Sequence, residues 1–173
     1  MATSVAQTAT IVSNPKASPA VLNDPGLVGG RVRYLGETRE AVTGDLDLGD
    51  TLVLAQLPVN ARIWELWVWT DDLDTNASVA LAWDFGFLDS SDADVDVDAL
   101  SPTAIGNDTL KSTWTDVMAQ SGMETNIGKT LWDASSGVTT DPGGEYKLIM
   151  QVQTAAATAA AGTISYRCVY TID

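Results

Sequence analysis

Between residues 57 and 88 the chain carries two runs in which large apolar side chains recur at every second position. In the second run Val79, Leu81, Trp83, Phe85 and Phe87 share one face, while Ala80, Ala82, Asp84 and Gly86 share the other, because side chains alternate across a strand. The first run, 62–70, sets Ile63, Glu65, Trp67 and Trp69 against Arg62, Trp64, Leu66 and Val68, so both of its faces are apolar apart from Arg62 and Glu65. Such a strand is expected to be covered on both sides. The connector TDDLDTNAS is rich in Asp and Asn, which favour turns. The two runs are therefore expected to pair as a β-hairpin inside a sandwich core, with Trp67 and Trp83 buried.

Strand-like runs also fall at 31–35, 51–57, 110–116, 129–133, 146–154 and 163–172. Short helices are expected within 95–106 and 117–123, and the alanine-rich AAATAAAG before the last strand is too short for an isolated helix and reads as a loop. With no alternation of strands and helices, the pattern predicts an all-β fold: an antiparallel two-sheet β-sandwich of jelly-roll type over residues 31–173. Residues 1–30 are different. Pro15, Pro19, Pro25, Gly26, Gly29 and Gly30 favour an extended N-terminal arm, which at full extension reaches ~100 Å. Val5, Ile11, Val12, Val21 and Leu22 make it more apolar than a solvated tail requires, and the arm is expected to order against another subunit.

Net charge narrows the function. At −14, with a pI near 4.1 and the basic residues scattered, the chain is expected to repel phosphate backbones and to bind no nucleic acid. No run approaches the ~20 apolar residues of a membrane span, and the first residues lack the basic and apolar regions of a signal peptide. A protein made in the cytoplasm, with no membrane partner, is the expectation.

The chain has no histidine, which excludes histidine-based nucleophilic triads and histidine-ligated metals. Cys168, the single cysteine, sits in a strand-like run and reads as a small buried hydrophobe. Glu65 and Asp84 are the carboxylates that interrupt apolar strands, and a glycosidase-like pair would need them close together; the plainer reading sends each to solvent, to a subunit contact or to a base such as Arg62. Asp92, Asp94 and Asp96, within the run DSSDADVDVDAL, have the alternate spacing that could converge on calcium. An EF-hand loop starting at Asp92 would, however, need Gly at Val97 and Glu at Thr103. Trp114 and Trp132 lie outside the strongest core runs and are the residues for sugar stacking, if they are not core or interface. No phosphate-binding loop, dinucleotide fingerprint or nucleophile elbow is present, and no cofactor and no enzyme activity are expected.

From Gly49-Asp50 through Leu57-Pro58, the turn Asn60-Ala61-Arg62, the hydrophobic strand, a strand ending Phe85-Gly86-Phe87, the acidic DADVDVDAL, Pro102 and Gly106, and the closing GTISYRCVYTID, the chain resembles tailed-bacteriophage head proteins. The resemblance covers residues 40–173. It implies a capsid decoration or cement protein, a β-sandwich on the outside of the virion that bridges major capsid protein subunits as a homo-oligomer, commonly a trimer. It carries over no catalytic residues. Together with the arm, Trp64, Trp67 and Trp69 are the interface candidates, since the 62–70 run holds more tryptophan than that pattern requires. A carbohydrate-binding β-sandwich module or a head-fibre base are the alternatives.

Overall fold

The computed structural model describes residue 19, residues 31–120 and residues 124–172. The described residues form nine strands: β1 (Arg31–Ala41), β2 (Thr51–Pro58), β3 (Arg62–Thr70), β4 (Ala82–Leu88), β5 (Asp94–Asp96), β6 (Ile105–Gly106), β7 (Thr115–Asp116), β8 (Glu145–Thr154) and β9 (Gly162–Ile172). They build two antiparallel sheets. Sheet A has the order β1-β9-β3-β7, and sheet B has the order β2-β8-β4-β5, with β6 also paired to β4. The pairs β1·β9, β2·β8, β3·β7 and β4·β5 join the first half of the chain to the second, as if one long ribbon had been wrapped into a barrel. This is the jelly-roll connection, and it bears out the expected all-β sandwich.

The tryptophan-rich runs do not form a hairpin. Strand β3 pairs with β9 and β7 in sheet A, whereas β4 pairs with β8, β5 and β6 in sheet B. The connector between them crosses from one sheet to the other. Its anchor is Asp74, fully buried, whose carboxylate accepts N–H bonds from Asn76 (3.3 Å), Ala80 (2.8 Å), Leu81 (3.1 Å), Ala157 (3.0 Å) and Thr158 (2.8 Å). Burial opposes ionisation, but the N–H groups of Ala80, Ala157, Thr158 and Leu81 outweigh it and hold the carboxyl well below the usual range. One side chain thereby fixes the β3–β4 crossing to the β8–β9 loop. That loop is where AAATAAAG was expected to be irregular, and it is.

The core lies between the sheets. Trp83, Phe85 and Phe87 of β4 meet Leu148, Met150 and Val152 of β8 and, from sheet A, Leu66, Val68, Ile164, Tyr166 and Cys168. A bulge in β3 between Ile63 and Glu65 puts Ile63, Leu66 and Val68 inward and leaves Glu65, Trp67 and Trp69 outward. Trp67 is therefore half-buried on the outer face and outside the core, because one inserted residue flips the parity that alternation alone would assign. A second bulge, in β2 between Val53 and Ala55, leaves the Leu54 carbonyl to accept a bond from the Tyr166 hydroxyl across the sandwich. Cys168 is buried and its thiol is pushed up to about 12 by that burial, which leaves an inert small hydrophobe.

Strand β4 is buried on both faces, the small Asp84 and Gly86 face as well as the bulky one. A Cβ on Gly86 would lie 2.1 Å from the Asp96 carbonyl oxygen and 2.4 Å from the Val97 carbonyl carbon, so only glycine lets the 94–101 segment pack there. Of the two strands expected in the middle of the chain, 110–116 holds the end of a helical turn (Asn107–Leu110) and then β7, and 129–133 holds a helical turn (Leu131–Ala134). The helix expected within 95–106 is replaced by β5 and β6, whereas Val117–Gln120 is helical as expected. Apolar periodicity over so few residues fits either conformation. No helix among the described residues is long and apolar enough to cross a membrane.

Trp83→Ala should cost roughly 3–5 kcal/mol of stability, and Trp67→Ala, half-buried, roughly 1–2 kcal/mol, both read from urea denaturation. Asp74→Ala should cost about 3 kcal/mol or more, because several buried N–H groups lose their acceptor together; a variant as stable as the parent would contradict the anchoring role.

Candidate functional site

Residues directly opposed across a ladder share a face. Strand β9 sets Arg167 opposite Gly36 of β1 and Trp67 of β3, with Asp116 of β7 beyond Trp67. The same register sets Trp69 opposite Ser165, Glu65 opposite Val169, and Tyr34 and Val32 opposite Val169 and Thr171. These are the outward positions of sheet A. The Arg167 guanidinium carbon lies 5.0 Å from the ring centroid of Trp67 and 5.0 Å from that of Trp114, within cation–π range of both. Trp67 Nε1 donates to Glu65 Oε2 at 2.9 Å, and Trp64 Nε1 donates to Thr171 Oγ1 at 3.1 Å. With these N–H groups satisfied, the rings are fixed in place.

This face is rich in side chains that carry binding energy. Tryptophan, tyrosine and arginine dominate protein-interface hot spots, since each offers a large rigid surface with a polar handle. Trp64, Trp67 and Trp69 are half-buried; Trp114 is 42% exposed, Tyr34 67% and Val32 68%. The apolar surplus noted in the 62–70 run is thus an outer layer of tryptophans. Arg167, Tyr34 and Trp114 join it only through the sheet register. The remaining interface candidates, Val5, Ile11, Val12, Val21 and Leu22, lie outside the described residues.

Glu65 and Asp84 do not meet. Glu65 is exposed on the outside of sheet A, whereas Asp84 is buried on the outer side of sheet B beneath the 94–101 segment. Arg62 reaches the Gly128 carbonyl at 2.8 Å, and neither solvent exposure nor an Arg62 pair describes Asp84. Burial, with the nearby Asp98 carboxylate, raises Asp84 to about 6. Asp98 is itself raised, first by hydrogen bonding to Asp96 and then by burial. The acidic run is spread over several tasks. Asp92 pairs with Lys147, Asp94 is exposed on β5, and Asp96 accepts the Ser136 N–H. Among the described residues no three such side chains are grouped to hold a metal ion. Trp132 packs against the core, so of the two sugar-stacking candidates only Trp114 offers an open ring.

The folded chain holds the Asp84 proton more tightly than the unfolded chain, whose carboxyl sits near 3.8. Stability from this group is therefore full at low pH and is lost as pH rises through about 6. Asp84→Asn should raise the melting temperature at pH ~7.5 and leave it nearly unchanged at pH ~4; calorimetry at the two pH values checks the sign.

No family model matches the chain, and no curated protein matches it. Among solved structures, a chain of the cyanophage Pam1 capsid asymmetric unit is similar over 91% of this chain and 96% of its own length, at 22% identity and a TM-score of 0.52. A chain of the capsid of Ralstonia phage GP4 is similar over 83% of this chain and 86% of its own, at 21% identity and a TM-score of 0.50. At that identity the likeness establishes a shared fold.

Proposed function

We propose that this chain is a non-enzymatic structural protein of a phage particle, which decorates the capsid surface and stabilises it by bridging major capsid protein subunits as an oligomer, most simply a trimer. The observation that carries this reading is the jelly roll shared along nearly the full length of both chains with a component of the Pam1 capsid. The aromatic face of sheet A supports it. Trp67, Trp114 and Arg167 form a preordered contact surface, and several such surfaces on one symmetric oligomer would multiply weak contacts into strong attachment. The negative charge of the chain fits a protein that stays off packaged DNA. Exposed Trp114 is the one feature that favours a carbohydrate-binding module instead, and its ring is already shared with Arg167.

The test is reconstitution on particles stripped of the protein, read as occupancy by cryo-electron microscopy. The parent chain should rebind, and the double variant Trp67→Ala/Trp114→Ala should lose at least tenfold in occupancy while keeping its β-sheet circular dichroism. A parent chain that never associates with capsids would overturn the proposal; a glycan array lit by the parent and dark for Trp114→Ala would favour the sugar-binding reading.

A further inference from the structure

Strand β1 is the edge of sheet A, eleven residues long, and the side facing away from β9 has no strand beside it among the described residues. A long free edge is a pairing site unless the protein blocks it. The inward positions of β1 alternate through Arg31, Arg33, Leu35, Glu37, Arg39 and Ala41, set opposite the core-facing positions of β9. All three arginines are exposed, and no salt bridge or side-chain hydrogen bond among the described residues engages them. In a chain with nine basic residues and a net charge of −14, three arginines without a side-chain partner among the described residues, on one face of a strand where Glu37 is the single acid, are a marked concentration of positive charge.

The row ends at a cavity. Arg39, Ala41, Leu52, Trp83 and Ile164 line a space of about 140 Å³ between the edges β1 and β2. Trp83 is 1% exposed, and its Nε1 is a buried donor without a partner among the described residues. The rim carboxylates of Asp45 and Asp50 are occupied by their own turns, accepting from the Val42 and Asp47 N–H groups at 3.0 and 2.9 Å. A buried donor lacking an acceptor is costly, and Arg39 adds a cation to the lining of the same cavity.

We propose that the β1 edge and this cavity bind an extended segment of a partner protein that carries carboxylates at alternate positions. The segment adds a strand beside β1, places its carboxylates along the arginine row, and sets one acceptor at the cavity for Trp83 Nε1. From Arg31 to Arg39 the row spans ~26 Å at ~3.3 Å per residue, the length of nine extended residues. A second copy of this chain is the wrong occupant. Of the three central antiparallel registers of β1 with itself, one sets Arg33 against Arg39, one sets Glu37 against Glu37, and the third sets Arg31 against Arg39 although it also pairs Arg33 with Glu37, so each places like charges directly opposite, which is destabilising. Within the acidic run of a second copy, Asp92 is held by Lys147 and Asp96 by the Ser136 N–H. That the partner is a shell subunit rests on the function proposed above, but the carboxylate chemistry does not.

The test uses the full chain and a fluorescein-labelled peptide of alternating aspartate and valine, with a lysine–valine peptide of equal length as control, titrated by fluorescence anisotropy. The acidic peptide should bind at least tenfold more tightly, weaken as salt is raised, and protect β1 amides from hydrogen exchange. Arg33→Glu/Arg39→Glu, at exposed positions, should lose tenfold or more in affinity with an unchanged melting temperature, and Trp83→Phe, which keeps a ring but removes the N–H, should lose several-fold. Equal affinity for the two peptides, no binding by either, or full binding in the arginine double variant would overturn the proposal. Because no capsid is present, these outcomes are separate from those of the reconstitution.

Discussion

The fold depends on the crossing at Asp74. A jelly roll requires successive strands to leave one sheet and enter the other, and each crossing strips backbone N–H groups of ladder partners at the end of the sandwich. Here a single buried carboxylate gathers five of them, from its own connector and from the β8–β9 loop. Those two segments are the links that carry the chain from β3 to β4 and from β8 to β9. With them clamped together, β4 and β8 fall into sheet B while β3 and β9 fall into sheet A, and the aromatic row of β4 is delivered to the space between.

The two candidate surfaces follow from the two sides of sheet A. The bulge in β3 turns Trp67 and Trp69 outward, and β9 adds Arg167 between the strands, so the outer face becomes an aromatic layer with a cation stacked on it. The inner face of the same sheet is core wherever sheet B covers it. At its β1 edge the covering by the described residues ends, and the inward positions there include Arg31, Arg33 and Arg39. Charges placed inward on an edge strand discourage pairing with an identical edge, and the same charges make the edge selective for a partner of opposite sign. Trp83, central to the core by its ring, also lines this opening, and its N–H has no acceptor among the described residues.

Strand existence was legible because alternation is a local property. The runs that became β2, β3, β8 and β9 announced themselves, and so did the loop between the last two. The middle of the chain was not, since 110–116 and 129–133 hold two apolar residues each, a number that a helical turn and a short strand accommodate equally. Of the functional candidates, the tryptophans of 62–70 were legible as surplus apolar surface. Arg167, Tyr34 and the row Arg31, Arg33 and Arg39 were not, because their meaning lies in which strand stands beside which.

By itself the sequence determined that this is an acidic, histidine-free β protein with a large aromatic payload, and that histidine-based chemistry is excluded. Composition and a period of two suffice for that, as they depend only on neighbours along the chain. The tertiary structure decided which strands pair, which face of each is inside, and which polar groups are left open. A bulge of one residue reverses the facing of everything beyond it, and a buried aspartate chooses between a hairpin and a crossing through N–H groups more than eighty residues away. Neither is visible until the chain has closed on itself.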